Sequence, residues 1–295
     1  MFWVVAVLIA AAAQTGRNAA QAGLTRSIGT TGATLVRFVF GLPFALAFLL
    51  AVVLWEGRPP PVPGVDALGF LVLGAVAQIL ATALMLVTMK SASFATVTAW
   101  LKTEPVVLAL AGWVVLGEAP GWAALAAIAV ATLGVVLLSP RPAALLSSEA
   151  RPVATGIASA ALFALAAIGF RGGITGLAGD GFVLRAATAL AISLTVQSAL
   201  MVLWMLAVNR TALWATFRLW RQSLVAGFLG AFASQFWFFG FALTSAVNVR
   251  TLGLVDVLFA QGVQRFAFGQ RSTKRQLLGM ALVVAGVAAL LRLHV

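Results

Sequence analysis

Apolar residues run along this chain in long blocks, and short polar stretches separate them. A membrane-crossing helix needs roughly 20 predominantly apolar residues. About ten blocks approach that length: 2–24, 31–54, 67–89, 92–115, 121–138, 153–175, 181–207, 222–243, 246–268 and 275–293. The pattern predicts an all-α membrane protein of about ten transmembrane helices. The connections are short. Residues 55–66 (WEGRPPPVPGVD) form a Pro-rich turn, and 139–152 (SPRPAALLSSEARP) are the most polar linker. Residues 209–221 (NRTALWATFRLWR) mix Trp214, Phe217 and Trp220 with three arginines, a combination suited to the membrane surface.

The first block carries an exception to its own pattern. Gln14, Arg17, Asn18 and Gln21 fall at i, i+3, i+4 and i+7, which makes one polar stripe on a helix. An arginine at membrane depth costs roughly 2.5–3.5 kcal/mol or more, so such residues face a protein interior or a water-filled cavity. The stripe points to a transport pathway, with Arg17 suited to hold a carboxylate or phosphate. The competing reading is a structural network between helices.

The mid-chain linker divides two similar halves: 1–138, then 139–152 as linker, then 153–295. A shift of 152 positions places Glu104 on Asp256, Gly117 on Gly269, Glu118 on Gln270 and Gly134 on Gly286. With small gaps, Arg37 matches Arg185 and Gln78 matches Gln235. Five helices per half is an odd number, so the second half enters the membrane from the opposite side. The expectation is two inverted five-helix repeats, a plan common in secondary transporters, with the pathway between them near the midplane.

Composition narrows the chemistry. The chain is 62% hydrophobic and 9% charged, with a net charge of +12. In a membrane protein that excess anchors loops and sets topology, and no nucleic-acid partner is expected. Arg and Lys concentrate after the odd-numbered helices, which would put those loops in the cytoplasm and both termini outside. No basic n-region of a signal peptide precedes the first apolar run. Cysteine is absent and His294 is the single histidine, so neither a metal site nor a cofactor is expected. There is no phosphate-binding loop, no His-Glu-x-x-His and no Gly-x-Ser-x-Gly, so neither ATP-driven transport nor enzymatic activity is expected.

Further candidates lie deeper in the chain. Glu104, in the fourth block beside Pro105, has Trp100 and Lys102 close by; it could pair with Arg17 or Lys102, or carry a coupling proton. Asp256 is its counterpart in the ninth block, with Gln264 two turns on; it pairs with an arginine or alternates partners during transport. Glu118, in a Gly-Glu-Ala-Pro turn, suits a helix cap or a gate. Arg37 and Arg185 lie about a turn inside their helices, where snorkelling competes with binding. Around Arg171, the pairs Gly169/Gly173 and Gly172/Gly176 read as close helix packing. In the eighth block Gln235 and Trp237 are pathway candidates, and most of the neighbouring phenylalanines read as lipid-facing.

Residues 101–138 (LKTEPVVLALAGWVVLGEAPGWAALAAIAVATLGVVLL) resemble the EamA-type module of the drug/metabolite transporter superfamily. The resemblance rests on Glu104-Pro105, the Gly117-Glu118 turn, Gly134 and Arg37. In the second copy Asp256-Val257 replaces the acid-Pro pair and Gln270 replaces the turn glutamate. The resemblance implies a multi-pass protein of the bacterial cytoplasmic (inner) membrane. It implies a ten-helix secondary carrier, an exporter or exchanger of small metabolites such as amino acids or organic anions. It also implies both termini in the cytoplasm, opposite to the charge bias. A carrier of phosphorylated or nucleotide-linked metabolites is the alternative in the same class; a non-transporting membrane scaffold is the alternative in another. The expected partners are a small-molecule substrate and the lipid bilayer, with the protein a monomer or homodimer. The expected pathway residues are Gln14, Arg17, Asn18, Gln21, Gln78, Trp100, Glu104, Gln235, Trp237, Asp256 and Gln264.

Overall fold

The computed structural model describes residues 1–91, 100–138, 150–179, 181–259, 261–262 and 273–293. Among them there are helices and turns and no strand. In chain order the helices are α1 (Phe2–Val39), α2 (Leu42–Glu56), α3 (Val65–Ser91), α4 (Glu104–Leu116), α5 (Trp122–Leu138) and α6 (Ala150–Thr175). They continue with α7 (Phe182–Val208), α8 (Arg210–Arg218), α9 (Trp220–Leu243), α10 (Ala246–Leu252) and α11 (Lys274–Arg292). Six stretches among the described residues are long and apolar enough to cross a membrane: Thr31–Glu56, Val65–Met85, Ala154–Thr175, Phe182–Val208, Trp220–Leu243 and Lys274–Arg292. Phe2–Arg17, Glu104–Leu116 and Trp122–Leu138 are apolar and shorter.

The expected boundary between the first two spans is a sharp bend inside α1. Gly29 adopts φ 72°, ψ 175°, a backbone conformation almost confined to glycine. The bend folds Leu24 and Ile28 back onto Val36 and Phe40, and Ala226 completes this core cluster. A Cβ at Gly29 would meet no atom within 4 Å, so an alanine there is opposed by backbone strain alone. Gly29→Ala is expected to cost about 1–3 kcal/mol, read as a lower midpoint of thermal unfolding in detergent. An unchanged midpoint would show that the bend does not need glycine.

The helices pack as two compact units, each built from both halves of the sequence. Unit 1 comprises Met1–Ile79 and Gly169–Thr244; unit 2 comprises Leu80–Ile168 and Ser245–Val295.

In unit 1 the most extensive pairing is α1 against α9. The end of α6 presses on the start of α3 through glycines. An added Cβ at Gly169 would stand 2.5 Å from the Gly74 nitrogen, and at Gly173 2.5 Å from the Leu71 side chain. This is the close approach expected of the Gly169/Gly173 and Gly172/Gly176 pairs. Arg171 Nη1 donates to the Phe241 carbonyl at 2.5 Å, so this arginine ties α6 to the end of α9. The aromatic run of α9 is divided. Phe238 and Phe241 are buried, as is the pathway candidate Trp237, whereas Phe236 and Phe239 are half-buried; Phe238 packs on Phe170 with ring centroids 4.8 Å apart. Apolar rings suit a protein interior and lipid tails equally, so composition did not distinguish them.

In unit 2 the most extensive pairing is α5 against α11. It is closed by Gly134, Gly279 and Gly286, at each of which an added Cβ would stand within 2.6 or 2.7 Å of backbone on the facing helix. The expected fourth span is interrupted. Trp100 and Leu101 are helical, Lys102 and Thr103 form a turn, and the α-helix restarts at Glu104 with Pro105 in its first turn. Thr103 Oγ1 donates to the Trp100 carbonyl at 2.7 Å and holds that turn. α4 then ends at Gly117, whose φ of 68° is the left-handed C-terminal conformation that glycine accepts without strain. The ninth span is interrupted as well: α10 gives way to a 3₁₀ turn, Gly253–Val255, directly before Asp256.

Candidate functional site

The expected pathway residues that lie within the described residues are divided between the two units. In unit 1, the bend at Gly29 brings two arginines from α1 to one point on α9. A Cβ at Gly230 would lie 3.5 Å from Arg17 Cδ and 3.8 Å from Arg37 Cγ. The bare glycine is therefore the surface on which both arginine stems rest. Arg17 is 6% exposed. One turn before Arg17, Gln14 Oε1 accepts a hydrogen bond from Trp237 Nε1 at 3.2 Å. Gln235, further along α9, is 5% exposed, and among the described residues neither its Oε1 nor its Nε2 has a hydrogen-bond partner. A buried polar group normally has one, and leaving it without costs about 1–3 kcal/mol. Such a group suits a ligand that completes its bonding.

Gln78 is also in unit 1 but serves a different contact. Gln197 Nε2 donates to Gln78 Oε1 at 2.8 Å and to the Ala75 carbonyl at 3.3 Å, bracing α7 on α3. Gln197 was not singled out from sequence; a lone glutamine in an apolar span was the available signal. The backbone at Asn18 and Gln21 is helical, but their side chains lie outside the described set, as does Gln264.

Unit 2 holds the acids. Lys102 Nζ donates to both carboxylate oxygens of Asp256, at 2.6 and 2.7 Å. Arg250 Nε lies 2.8 Å from Glu104 Oε1 at an angle unsuited to a hydrogen bond, so this is an ion contact. All four side chains are 14–17% exposed. Glu104 also interacts electrostatically with Lys102 and Asp256. Two cations and two anions thus form a neutral quartet, cross-paired between Lys102 and Glu104 at the start of α4 and Arg250 and Asp256 around the end of α10. The pairing differs from two expectations: Glu104 takes Arg250 rather than Arg17 or Lys102, and Asp256 takes a lysine rather than an arginine. Each acid thus takes the base that lies near the other acid in the sequence. Glu104 also starts a helix, where a carboxylate is favoured by the helix dipole, rather than sitting in mid-helix. Trp100, 6% exposed, packs on Gly156, where an added Cβ would stand 3.0 Å from Trp100 Cδ2.

Glu118 lines a cavity of about 390 Å³ in unit 2 together with Pro120, Gly121, Ser245, Asn248 and Leu293. Among the described residues no cluster of His, Cys, Asp or Glu could hold a metal ion.

Comparison with known proteins agrees with these features. A solved structure described as "Crystal structure of protein" superposes with a TM-score of 0.69 at 17% identity, covering 99% of this chain and 96% of the other. At that identity the likeness establishes a shared fold. No curated protein matches the sequence. The sequence model of the EamA-like transporter family matches residues 1–139, the segment that contains Arg17, Arg37, Glu104-Pro105, Gly117-Glu118 and Gly134. The chain is thus a multi-pass membrane protein whose residues 1–139 are similar to the EamA-like transporter family.

Proposed function

We propose that the protein is a secondary active transporter of small metabolites, organic anions or amino acids, in the cytoplasmic membrane of a bacterium. Two inverted repeats of five helices would expose the pathway to alternate sides. The observation that carries this reading is the meeting of Arg17 and Arg37 over Gly230. Arg17 precedes the Gly29 bend by twelve residues and Arg37 follows it by eight, which is roughly 18 and 12 Å along the helices. With the Gly29 bend at one membrane surface, both would lie near the middle of a hydrocarbon layer about 30 Å thick. Two cations at that depth are costly, and a function that uses them explains their presence. The matched interruptions before Glu104 and Asp256 support the reading, because broken helices at corresponding places in two repeats mark binding sites in such carriers. In mechanism, Arg17 fixes the anionic group of the substrate. The Lys102–Asp256 and Arg250–Glu104 contacts exchange partners, or take a proton, as the access changes.

One observation favours a second substrate class. Two arginines over a single glycine suit a group with two charges, such as the phosphate of a phosphorylated metabolite, better than a single carboxylate.

Solute counterflow in proteoliposomes tests both. Labelled amino acids, organic anions and sugar phosphates are offered, and accumulation is expected for one class. Arg17→Gln should then weaken apparent affinity roughly tenfold to a hundredfold, the value of a charge-assisted hydrogen bond, with the amount of folded protein unchanged. Wild-type flux in folded Arg17→Gln would remove Arg17 from the site. Absence of counterflow for every class, with folded protein inserted, would favour the non-transporting scaffold.

A further inference from the structure

The short helix α8 joins the ends of two membrane-length helices, α7 and α9, and its outward face repeats a simple pattern. Arg210, Trp214 and Arg218 follow one another at i, i+4 and i+8, so they form one row. All three are exposed, Trp214 to 63%. Phe217 and Trp220 flank the row at 42% and 51% exposure, and Arg221 adds a third guanidinium at the start of α9, stacked 5.4 Å from the Trp220 ring. The opposite face is held down: Leu213 and Thr216 are buried, and Ser223 Oγ donates to the Thr216 carbonyl. At the edge of the exposed row Phe217 also meets Phe40, with ring centroids 5.3 Å apart. Both ends are fixed as well: Asn209 Oδ1 caps the helix at the Ala212 amide, and Arg210 Nε donates to the Leu206 carbonyl.

Charge decides what this face meets. The sequence from residue 181 to residue 255 contains no aspartate or glutamate, so α8 and its neighbours in the chain supply no counter-charge to the three arginines. A rigid helix at the end of two spanning helices, with exposed indoles between exposed guanidiniums, has the two halves of an interfacial lipid contact. The rings suit the boundary between headgroups and acyl chains, and the guanidiniums suit phosphate. We propose that α8 and the first turn of α9 form a binding surface for the phosphate headgroups of anionic phospholipids, with Arg210, Arg218 and Arg221 as the phosphate contacts and Trp214 and Trp220 as the anchors. This surface lies apart from the arginine pair at Gly230 and does not depend on the transport reading.

The test uses the full-length protein in a neutral detergent, titrated with phosphatidylglycerol or phosphatidylcholine, with bound lipid counted by native mass spectrometry. Phosphatidylglycerol is expected to be retained over phosphatidylcholine, and the preference to fall about fivefold for each arginine replaced by glutamine. Single variants R210Q, R218Q and R221Q are read alongside the triple variant; among the described residues Arg218 and Arg221, unlike Arg210, hold no backbone group, so a triple variant that fails to fold leaves R218Q and R221Q decisive. Arg58→Gln, in a different loop, is expected to leave the preference unchanged. Equal retention of the two lipids would overturn the proposal. So would an undiminished preference in folded R218Q and R221Q, an equal loss in Arg58→Gln, or displacement of the lipid by millimolar inorganic phosphate, which would mark a free-anion site.

Discussion

Gly286→Leu is expected to abolish recovery of folded protein. At Gly286 an added Cβ would stand 2.6 Å from the Ala131 nitrogen and 2.7 Å from the Ala127 oxygen; at Gly134 the same atom would stand 2.6 Å from the Val283 nitrogen and 2.7 Å from the Gly279 oxygen. The obstacles are backbone atoms of the facing helix, which no side-chain rotation removes. Overpacking a well-packed interior costs about 1–3 kcal/mol when side chains can adjust; here α5 and α11 must separate, and the close packing that holds helices together inside a membrane goes with the separation. Gly286→Ala should lower the unfolding midpoint and Gly286→Leu should remove the monodisperse peak on size exclusion, with Gly134 behaving alike. Gly69→Ala is the contrast: a Cβ there would meet nothing within 4 Å, and the helix gains about 1 kcal/mol of propensity. A Gly286→Leu protein with wild-type stability would mean that α5 and α11 do not pack as described.

The second large effect is expected at the Lys102–Asp256 pair. Removing one partner of a buried ion pair costs about 3–5 kcal/mol, because the remaining charge is left in a medium that solvates it poorly. The 14–17% exposure of this quartet puts the expected loss toward the lower end of that range. Lys102→Ala and Asp256→Ala should each lower the unfolding midpoint, while the double variant should be less damaged than the sum, because no orphan charge remains. The exchange Lys102→Asp with Asp256→Lys should recover most of the stability. If the two single variants were as stable as wild type and strictly additive, the pair would be a surface contact without structural weight. Measured in proteoliposomes, the exchanged pair also separates roles: restored stability without restored counterflow would assign the pair to transport as well as to folding.

The spacing of apolar blocks located the helices well, because the length needed to cross a bilayer is a strong constraint. The span expected at 31–54 is the apolar stretch Thr31–Glu56, and that expected at 181–207 is α7, Phe182–Val208. The 209–221 segment, read as surface-seeking, contains the amphipathic α8. The helix interruption at Lys102 and Thr103 was hidden inside an apolar block, since a turn held by Thr103 and Trp100 leaves no trace in hydropathy. Candidate acids were visible because Glu104 and Asp256 are rare residues in apolar surroundings. Their partners were not, because pairing depends on the register between segments far apart in sequence. Arg37 illustrates the same limit. Alone it reads as a snorkelling residue; only the bend at Gly29 brings it to the glycine that Arg17 touches.

The pairing of α5 with α11 also bears on how the chain is made. A ribosome delivers α5 well before α11, so the glycine groove around Gly134 lacks this occupant until residues 274–292 have been made. During that interval lipid or an insertion chaperone must cover it. A message truncated before residue 274 would therefore yield a chain whose early helices are inserted but permanently unmatched, the form that membrane proteases remove.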